Sequence, residues 1–125
     1  MNSLNDCIDE TVYGELKLIM KDKFHQFLDV YIKSMDEYLS KGAQALAEED
    51  FEELASNVHP IKSTSYALGA VALAENAEKI HSMIEAHREK KIDIDKQKLI
   101  IIYNSLVEDY RSVKEVLKEE LERAA

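Results

Sequence analysis

Apolar side chains recur at intervals of three and four residues along almost the whole chain, which is the period of an α-helix with one buried face. No stretch alternates apolar and polar residues as a half-buried strand would. The 125 residues include only three glycines and one proline, so few positions interrupt a helix. A chain of this length forms one compact domain. The pattern therefore predicts a single all-α domain over residues 1–125.

The apolar stripes predict five helices. A short first helix covers about residues 7–20, and longer helices follow at about 22–48, 50–68, 70–90 and 95–122. Long amphipathic helices joined by short connections pack antiparallel, each burying one stripe. The predicted fold is an antiparallel up-and-down four-helix bundle with an additional short N-terminal helix. The apolar stripe of that first helix consists of Ile8, Val12, Leu16 and Ile19.

Individual residues mark where the predicted helices end or weaken. Asp50, followed three residues later by Glu53, resembles a capping box at the start of the third predicted helix. Gly69 lies where the C-terminal cap of the same helix is expected. Gly42 weakens the second helix by about 1 kcal/mol relative to alanine, which allows a bend there.

The chain is strongly acidic, with 25 Asp and Glu against 16 Lys and Arg and a formal net charge of −9. Such a field repels nucleic-acid backbones and anionic lipid surfaces, so we expect neither nucleic acid nor membrane as a partner. No apolar run approaches membrane-spanning length. The N-terminus is acidic and polar where a secretion signal would be basic and then apolar, so we expect a cytoplasmic protein.

Composition also bears on cofactors. Gly14, Gly42 and Gly69 lie too far apart to form the phosphate-binding loops GxxxxGK[ST] or GxGxxG. No two of the four histidines share the spacing of three or four residues that places two ligands on one helix face. Cys7 is the only cysteine, which excludes an internal disulfide. We therefore expect no nucleotide, no metal and no other cofactor.

The most informative residue is His59, in the third predicted helix. It directly follows a position of the buried stripe, so its side chain is turned about 100° away from the core, toward solvent. Its neighbours one turn away are the small residues Ala55, Ser56 and Ser63 and the cation Lys62. A nearby cation favours the neutral, nucleophilic imidazole and offsets the charge of a phosphoryl group bound to it. This arrangement is typical of a covalent phosphate carrier, although HxxK alone also occurs by chance on helix surfaces.

From His59 the sequence reads HPIKSTSYALGA, which resembles the signature of histidine-containing phosphotransfer (HPt) domains. In that family the phosphorylated histidine is followed by a large apolar residue, a lysine, small residues and then an apolar-Gly-Ala sequence. The residues that occupy those places are Ile61, Lys62, Ser63, Thr64, Ser65, Leu68, Gly69 and Ala70. The resemblance implies that His59 accepts the phosphoryl group and that Lys62 stabilises it.

The same resemblance implies a stand-alone, bacterial-type phosphorelay intermediate of two-component signal transduction. Such a protein is a carrier, not an enzyme. It accepts a phosphoryl group from the phospho-aspartate of a receiver domain and passes it to another receiver. The implied partners are response-regulator receiver domains, a hybrid sensor kinase, or both. We expect a monomer, since such encounters are transient.

The docking surface is expected to surround His59, with Ser56, Pro60, Ser63 and Thr64 at its centre and apolar contacts from the first two helices. Two other interpretations remain open. One is a non-phosphorylated helical-bundle interaction module that docks on a receiver and blocks it. The other is a fragment of a kinase dimerisation domain, which also exposes a helical histidine but forms a dimer.

Two residues depart from the family signature. Ser63 stands where the family most often has glycine, and it is still small. Pro60 removes the helical hydrogen bond to the Ser56 carbonyl and disfavours helical geometry at His59. We expect a kinked but continuous helix with this carbonyl turned toward solvent. The alternative is that a new helix begins at Pro60 with His59 as its cap, which would separate His59 from Lys62.

Counting across the predicted turn at Gly69 identifies residues that face His59. His59 lies ten residues before Gly69, so residues 78–82 of an antiparallel fourth helix lie at the same level. His81 in this window is placed to hydrogen-bond Nδ1 of His59 and leave Nε2 free to attack. Glu78 is the alternative orienting residue, and an ordinary half-buried histidine is the competing interpretation of His81.

Overall fold

The computed structural model describes residues 7–90 and 92–124, and nearly all of them are helical. The predicted all-α bundle with an added short helix is confirmed, and no strand occurs in the described residues. A short 3₁₀ turn, Lys21–Lys23, joins the first helix to the second. The helices in chain order are α1 (Glu10–Met20), α2 (Phe24–Ala47), α3 (Phe51–Leu68), α4 (Val71–Lys90) and α5 (Lys96–Ala124).

The four long helices surround a continuous hydrophobic core. Helix α3 packs between α2 and α4, and α5 packs against α4 and α2, so α3 and α5 lie diagonally opposite. Each helix buries one stripe and leaves its polar face in solvent. The largest fully buried side chains are Phe24, Leu28, Met35, Leu54, Ile61, Leu68, Leu73, Ile80, Ile84, Leu99, Leu106 and Leu117.

Helix α1 lies over the turn between α3 and α4. The side chain of Asp9 accepts hydrogen bonds from the backbone of the first turn of α1, and its own backbone N–H donates to the Gly69 carbonyl at 2.8 Å. The predicted stripe is wrong at Ile19, which is 77% exposed. The buried residue of α1 is Tyr13, and Ile19 lies about 120° around the helix from it. The inward face is therefore rotated relative to the one that the spacing predicted.

A buried carboxylate joins α1 to the rest of the bundle. Glu120 on α5 is 7% exposed and accepts hydrogen bonds from the Tyr13 hydroxyl at 3.2 Å and from Lys17 Nζ at 3.1 Å. His25 Nε2 on α2 lies 3.1 Å from the same carboxylate. Glu120 thus links the three helices α1, α2 and α5. This cluster was not predicted from the sequence.

The predicted helix ends of α3 are present. Asp50 accepts a hydrogen bond from Glu53 N at 3.1 Å, but the Glu53 side chain accepts from Asn57 instead of completing the capping box. Gly69 caps the C-terminus with φ of 94°, in the left-handed region that favours glycine.

Gly42 has a packing role. The Tyr103 hydroxyl donates to the Leu39 carbonyl at 2.6 Å and passes so close to Gly42 that a Cβ there would lie 2.6 Å from the hydroxyl oxygen. Glycine therefore allows the close approach of α5 to α2 at this level.

Candidate functional site

His59 lies on the exposed face of α3. Ser56 and Ser63, on either side of it along the helix, are also exposed, and Ala55 is buried. Lys62 is half-buried one turn further on, where residues three apart are neighbours on the helix surface. The imidazole is therefore open to solvent and is not covered by a large side chain from these neighbours.

Helix α3 runs continuously through Pro60 from Phe51 to Leu68. The alternative in which a new helix begins at Pro60 with His59 as its cap is wrong, so His59 and Lys62 belong to one helix. The Pro60 carbonyl also accepts a hydrogen bond from Thr64 Oγ1 at 2.8 Å, a type of bond that often bends helices. The kink itself stays a prediction.

The structure brings His81 to His59. Their ring centroids are 5.5 Å apart, with the planes tilted by 42°. His81 is half-buried on α4, and its Nε2 lies 3.8 Å from Glu85 Oε1, one turn further along the same helix. The observed relation between the two histidines is a ring contact, and the hydrogen bond to Nδ1 of His59 stays a prediction.

Glu78, the alternative orienting residue, has a different partner. Its Oε2 accepts a hydrogen bond from the Tyr66 hydroxyl at 3.0 Å. It also lines another cleft, together with residues of α5. Of the two candidates, His81 is the one that the structure places against the His59 ring.

An ion-pair cluster that the sequence analysis missed lies beside the histidines. Arg88 Nη1 is 2.6 Å from Glu85 Oε1, and Arg88 Nη2 is 2.8 Å from Glu52 Oε1 across the α3–α4 contact. The hydrogen bond with Glu52 raises the pKa of the Arg88 guanidinium. The spacing of Glu85 and Arg88 was visible in the sequence. The Glu52 contact follows from the same antiparallel counting that identified His81.

These residues form one shallow cleft of about 370 Å³, lined by Glu52, Ala55, Ser56, His59, His81, Glu85 and Arg88. The His59 ring thus borders an open depression that has the Arg88 cation on its wall, while Lys62 lies on the next turn of α3. An exposed nucleophilic ring with cations nearby is suited to carry a phosphoryl group. A larger cleft of about 460 Å³, between α2 and α5, contains none of the candidate residues.

The remaining histidines have local partners. His25 contacts Glu120, and His87 Nδ1 lies 2.8 Å from the Ile92 carbonyl oxygen. Within residues 7–90 and 92–124, no group of three His, Cys, Asp or Glu side chains is arranged to hold a metal ion. In the same part of the chain, no helix is long and apolar enough to cross a membrane.

The Hpt domain family matches residues 26–125, which is most of the chain. The chain belongs to this family, whose members are phosphocarriers in phosphorelays and not kinases, and which interact with receiver domains and kinases. Among solved structures it is similar to histidine-containing phosphotransfer protein B (HptB) from Pseudomonas aeruginosa PAO1. The two share 22% sequence identity and a TM-score of 0.83 over 94% of this chain and 96% of that chain. No curated protein matches the chain.

Proposed function

We propose that this protein is a phosphorelay intermediate that receives a phosphoryl group on His59 from a receiver phospho-aspartate and passes it to a second receiver. The observation that carries the proposal is the exposed His59 ring on a continuous α3, with small neighbours and Lys62 on the next turn. The protein is expected to act as a monomer in the cytoplasm, without a cofactor.

The transfer is a displacement at phosphorus. The Nε2 lone pair of a neutral His59 forms the N–P bond, the P–O bond of the aspartyl phosphate breaks, and the aspartate carboxylate leaves with the electron pair. The proton on Nδ1 stays in place. The phosphoryl group has a charge of about −1.5 to −2 near neutral pH, and the Lys62 ammonium offsets part of it. The reverse sequence, with a second receiver as acceptor, discharges His59.

His81 is proposed to position the His59 ring. The two rings are in contact, and Glu85 Oε1 lies 3.8 Å from His81 Nε2, within the range of an ion pair. A histidine held in this way is suited to accept the Nδ1 proton of His59 in a hydrogen bond and fix the reactive tautomer. His81→Leu is then expected to slow transfer and change its pH profile, while His81→Gln restores part of the rate. Unchanged rates and pH profiles at unchanged stability would remove the positioning role.

The docking surface is proposed to centre on Ser56, Pro60, Ser63 and Thr64. Ser56 and Ser63 are exposed, whereas Pro60 and Thr64 are half-buried. The Thr64 hydroxyl already donates to the Pro60 carbonyl, so its hydrogen is engaged within the helix. Small side chains at these positions let a receiver bring its aspartate close to His59.

The decisive experiment uses a radiolabelled phospho-receiver from the same host. The wild-type protein is expected to take up an acid-labile, base-stable label, and His59→Gln is expected to take up none. The matched control is His87→Gln, since His87 is an exposed histidine on α4. Label retained in His59→Gln would contradict the proposal. An unlabelled wild-type protein that still binds and blocks the receiver would favour the interaction-module interpretation.

A further inference from the structure

Tyr66 is a large side chain on the same face of α3 as His59. Seven residues on a helix turn by almost two full rotations, so the two residues point within about 20° of each other and lie about 10.5 Å apart along the axis. Tyr66 is 38% exposed, whereas Ala55, Ser56 and Ser63 around His59 are small. This face of α3 therefore carries the His59 imidazole and, two turns away, the solvent-accessible aromatic ring of Tyr66.

The Tyr66 ring is held in place by a bond between helices. Its hydroxyl donates to Glu78 Oε2 of α4 at 3.0 Å. This bond to Glu78 raises the pKa of the Tyr66 hydroxyl above its usual value. A tyrosine has only two side-chain torsions, and a bound hydroxyl restricts both. Contact with a partner therefore requires little further ordering of this side chain.

The distance from His59 places Tyr66 within the area that a partner covers. Transient complexes bury less than about 1,200 Å² in total, or about 600 Å² on each side. A circular patch of that area, centred on His59, has a radius of about 14 Å. Tyr66, at about 10.5 Å, lies inside it. A receiver domain that reaches His59 thus also meets the Tyr66 ring.

The surroundings of the ring indicate the chemistry of the contact. Glu75 and Glu78 are exposed beside it, and the chain as a whole carries a net charge of −9. Lysine and arginine side chains bind favourably over the face of a tyrosine, and adjacent carboxylates strengthen this contact. A basic side chain of the partner is therefore the favoured group at this position.

We infer that Tyr66, held by Glu78, is an aromatic anchor of the docking surface on which a receiver domain places a lysine or arginine side chain. The inference rests on the proposed function, because it assumes that a receiver docks over His59. It gives Glu78 a role in holding Tyr66 rather than in orienting His59. Tyr66 acts in binding only and does not contact the transferred phosphoryl group.

The test is the rate of phosphoryl transfer from a phosphorylated receiver, measured in single turnovers over a range of concentrations of this protein. Tyr66→Ala is expected to raise the half-saturating concentration about tenfold and leave the maximal rate unchanged. Tyr66→Phe keeps the ring and loses the bond to Glu78, so a smaller rise is expected. The control is Ile101→Ala on α5, which removes a 65% exposed side chain from a helix diagonally opposite α3 and should change neither parameter.

Glu78→Gln tests the charge of the partner group, because glutamine still accepts the Tyr66 hydroxyl but has no charge. Half-saturation is expected to depend less on salt in this variant than in the wild type. If the half-saturating concentration of Glu78→Gln depends on salt as strongly as that of the wild type, the inference that the partner supplies a basic side chain is wrong.

If Tyr66→Ala has the same half-saturating concentration as the wild type, Tyr66 is not an anchor, although the proposed function can still hold. If Tyr66→Ala lowers the maximal rate of transfer, Tyr66 does not act in binding only. A wild-type protein that takes up no phosphoryl group would overturn the proposed function and the anchor with it.

Discussion

Replacing Gly42 with alanine is expected to destabilise the bundle, although alanine is the better helix former. The added Cβ would lie 2.6 Å from the Tyr103 hydroxyl oxygen, well inside van der Waals contact. Tyr103 is only 4% exposed, and its hydroxyl is bonded to the Leu39 carbonyl, so the side chain has little room to move. The hydroxyl is the main obstacle, because the nearest ring carbons, Cε2 and Cζ, would lie 3.4 Å away.

Two opposing contributions decide whether Gly42→Ala raises or lowers the free energy of unfolding. Alanine in a helix interior gains about 1 kcal/mol over glycine. Overpacking a core costs about 1–3 kcal/mol, and displacing a buried hydroxyl from its partner costs about 1–3 kcal/mol more. The free energy of unfolding is therefore expected to fall by about 1–5 kcal/mol in Gly42→Ala. In a Tyr103→Phe background the hydroxyl that obstructs the Cβ is absent. Gly42→Ala is then expected to raise the free energy of unfolding by up to about 1 kcal/mol.

The assay is urea unfolding followed by helical circular dichroism for the wild type, both single variants and the double variant. The double-mutant cycle is expected to give a coupling energy of about 2–6 kcal/mol between the two positions. If Gly42→Ala stabilises the protein equally in both backgrounds, contact between the Tyr103 hydroxyl and position 42 is not what requires glycine.

Two further predictions concern buried polar groups. Burial raises the pKa of the Glu120 carboxyl, but hydrogen bonds from Lys17 and His25 outweigh burial and hold the pKa below its usual value. Its stabilisation is thus present above the unfolded-state pKa and is lost as pH falls through the folded-state pKa. Glu120→Gln should lower the urea midpoint at neutral pH, and its urea midpoint should fall less steeply than that of the wild type as the pH is lowered. An equally steep fall in both proteins would contradict this. Below the His59 face, Ser65 Oγ and the Tyr31 hydroxyl are bonded at 2.8 Å. Ser65→Ala should lower the free energy of unfolding by about 1–3 kcal/mol, because it leaves the buried Tyr31 hydroxyl without this partner. The loss should be much smaller in a Tyr31→Phe background, and equal losses in the two backgrounds would contradict this.

The helical fold could be predicted from the sequence because its signals are local. The apolar period, the Asp50 cap and the Gly69 cap each act within a few residues of their own helix. The contact between His59 and His81 was also predictable, because the two helices are consecutive and a single turn at Gly69 sets their register. The same counting relates Glu52 to Arg88, although the long side chains of these residues gave no signal of their own.

Contacts between helices that are distant in the sequence could not be predicted. The close approach of Tyr103 to Gly42 depends on how α5 lies against α2, and no turn connects these two helices directly. The rotation of α1 that buries Tyr13 and exposes Ile19 depends on the position of Glu120, 107 residues after Tyr13. Within its own helix, Gly42 indicated only a weakened helix that allows a bend, and its packing role is visible only where Tyr103 approaches it.

The attachment of α1 to Glu120 has a consequence for the order of folding. During synthesis α1 leaves the ribosome first, whereas the carboxylate that accepts the Tyr13 hydroxyl follows 107 residues later. The Gly69 carbonyl that receives the Asp9 N–H emerges at an intermediate time. The partner of α1 at Gly69 is therefore available before its partner at Glu120, and the attachment of α1 is complete only when the last turns of α5 have been synthesised.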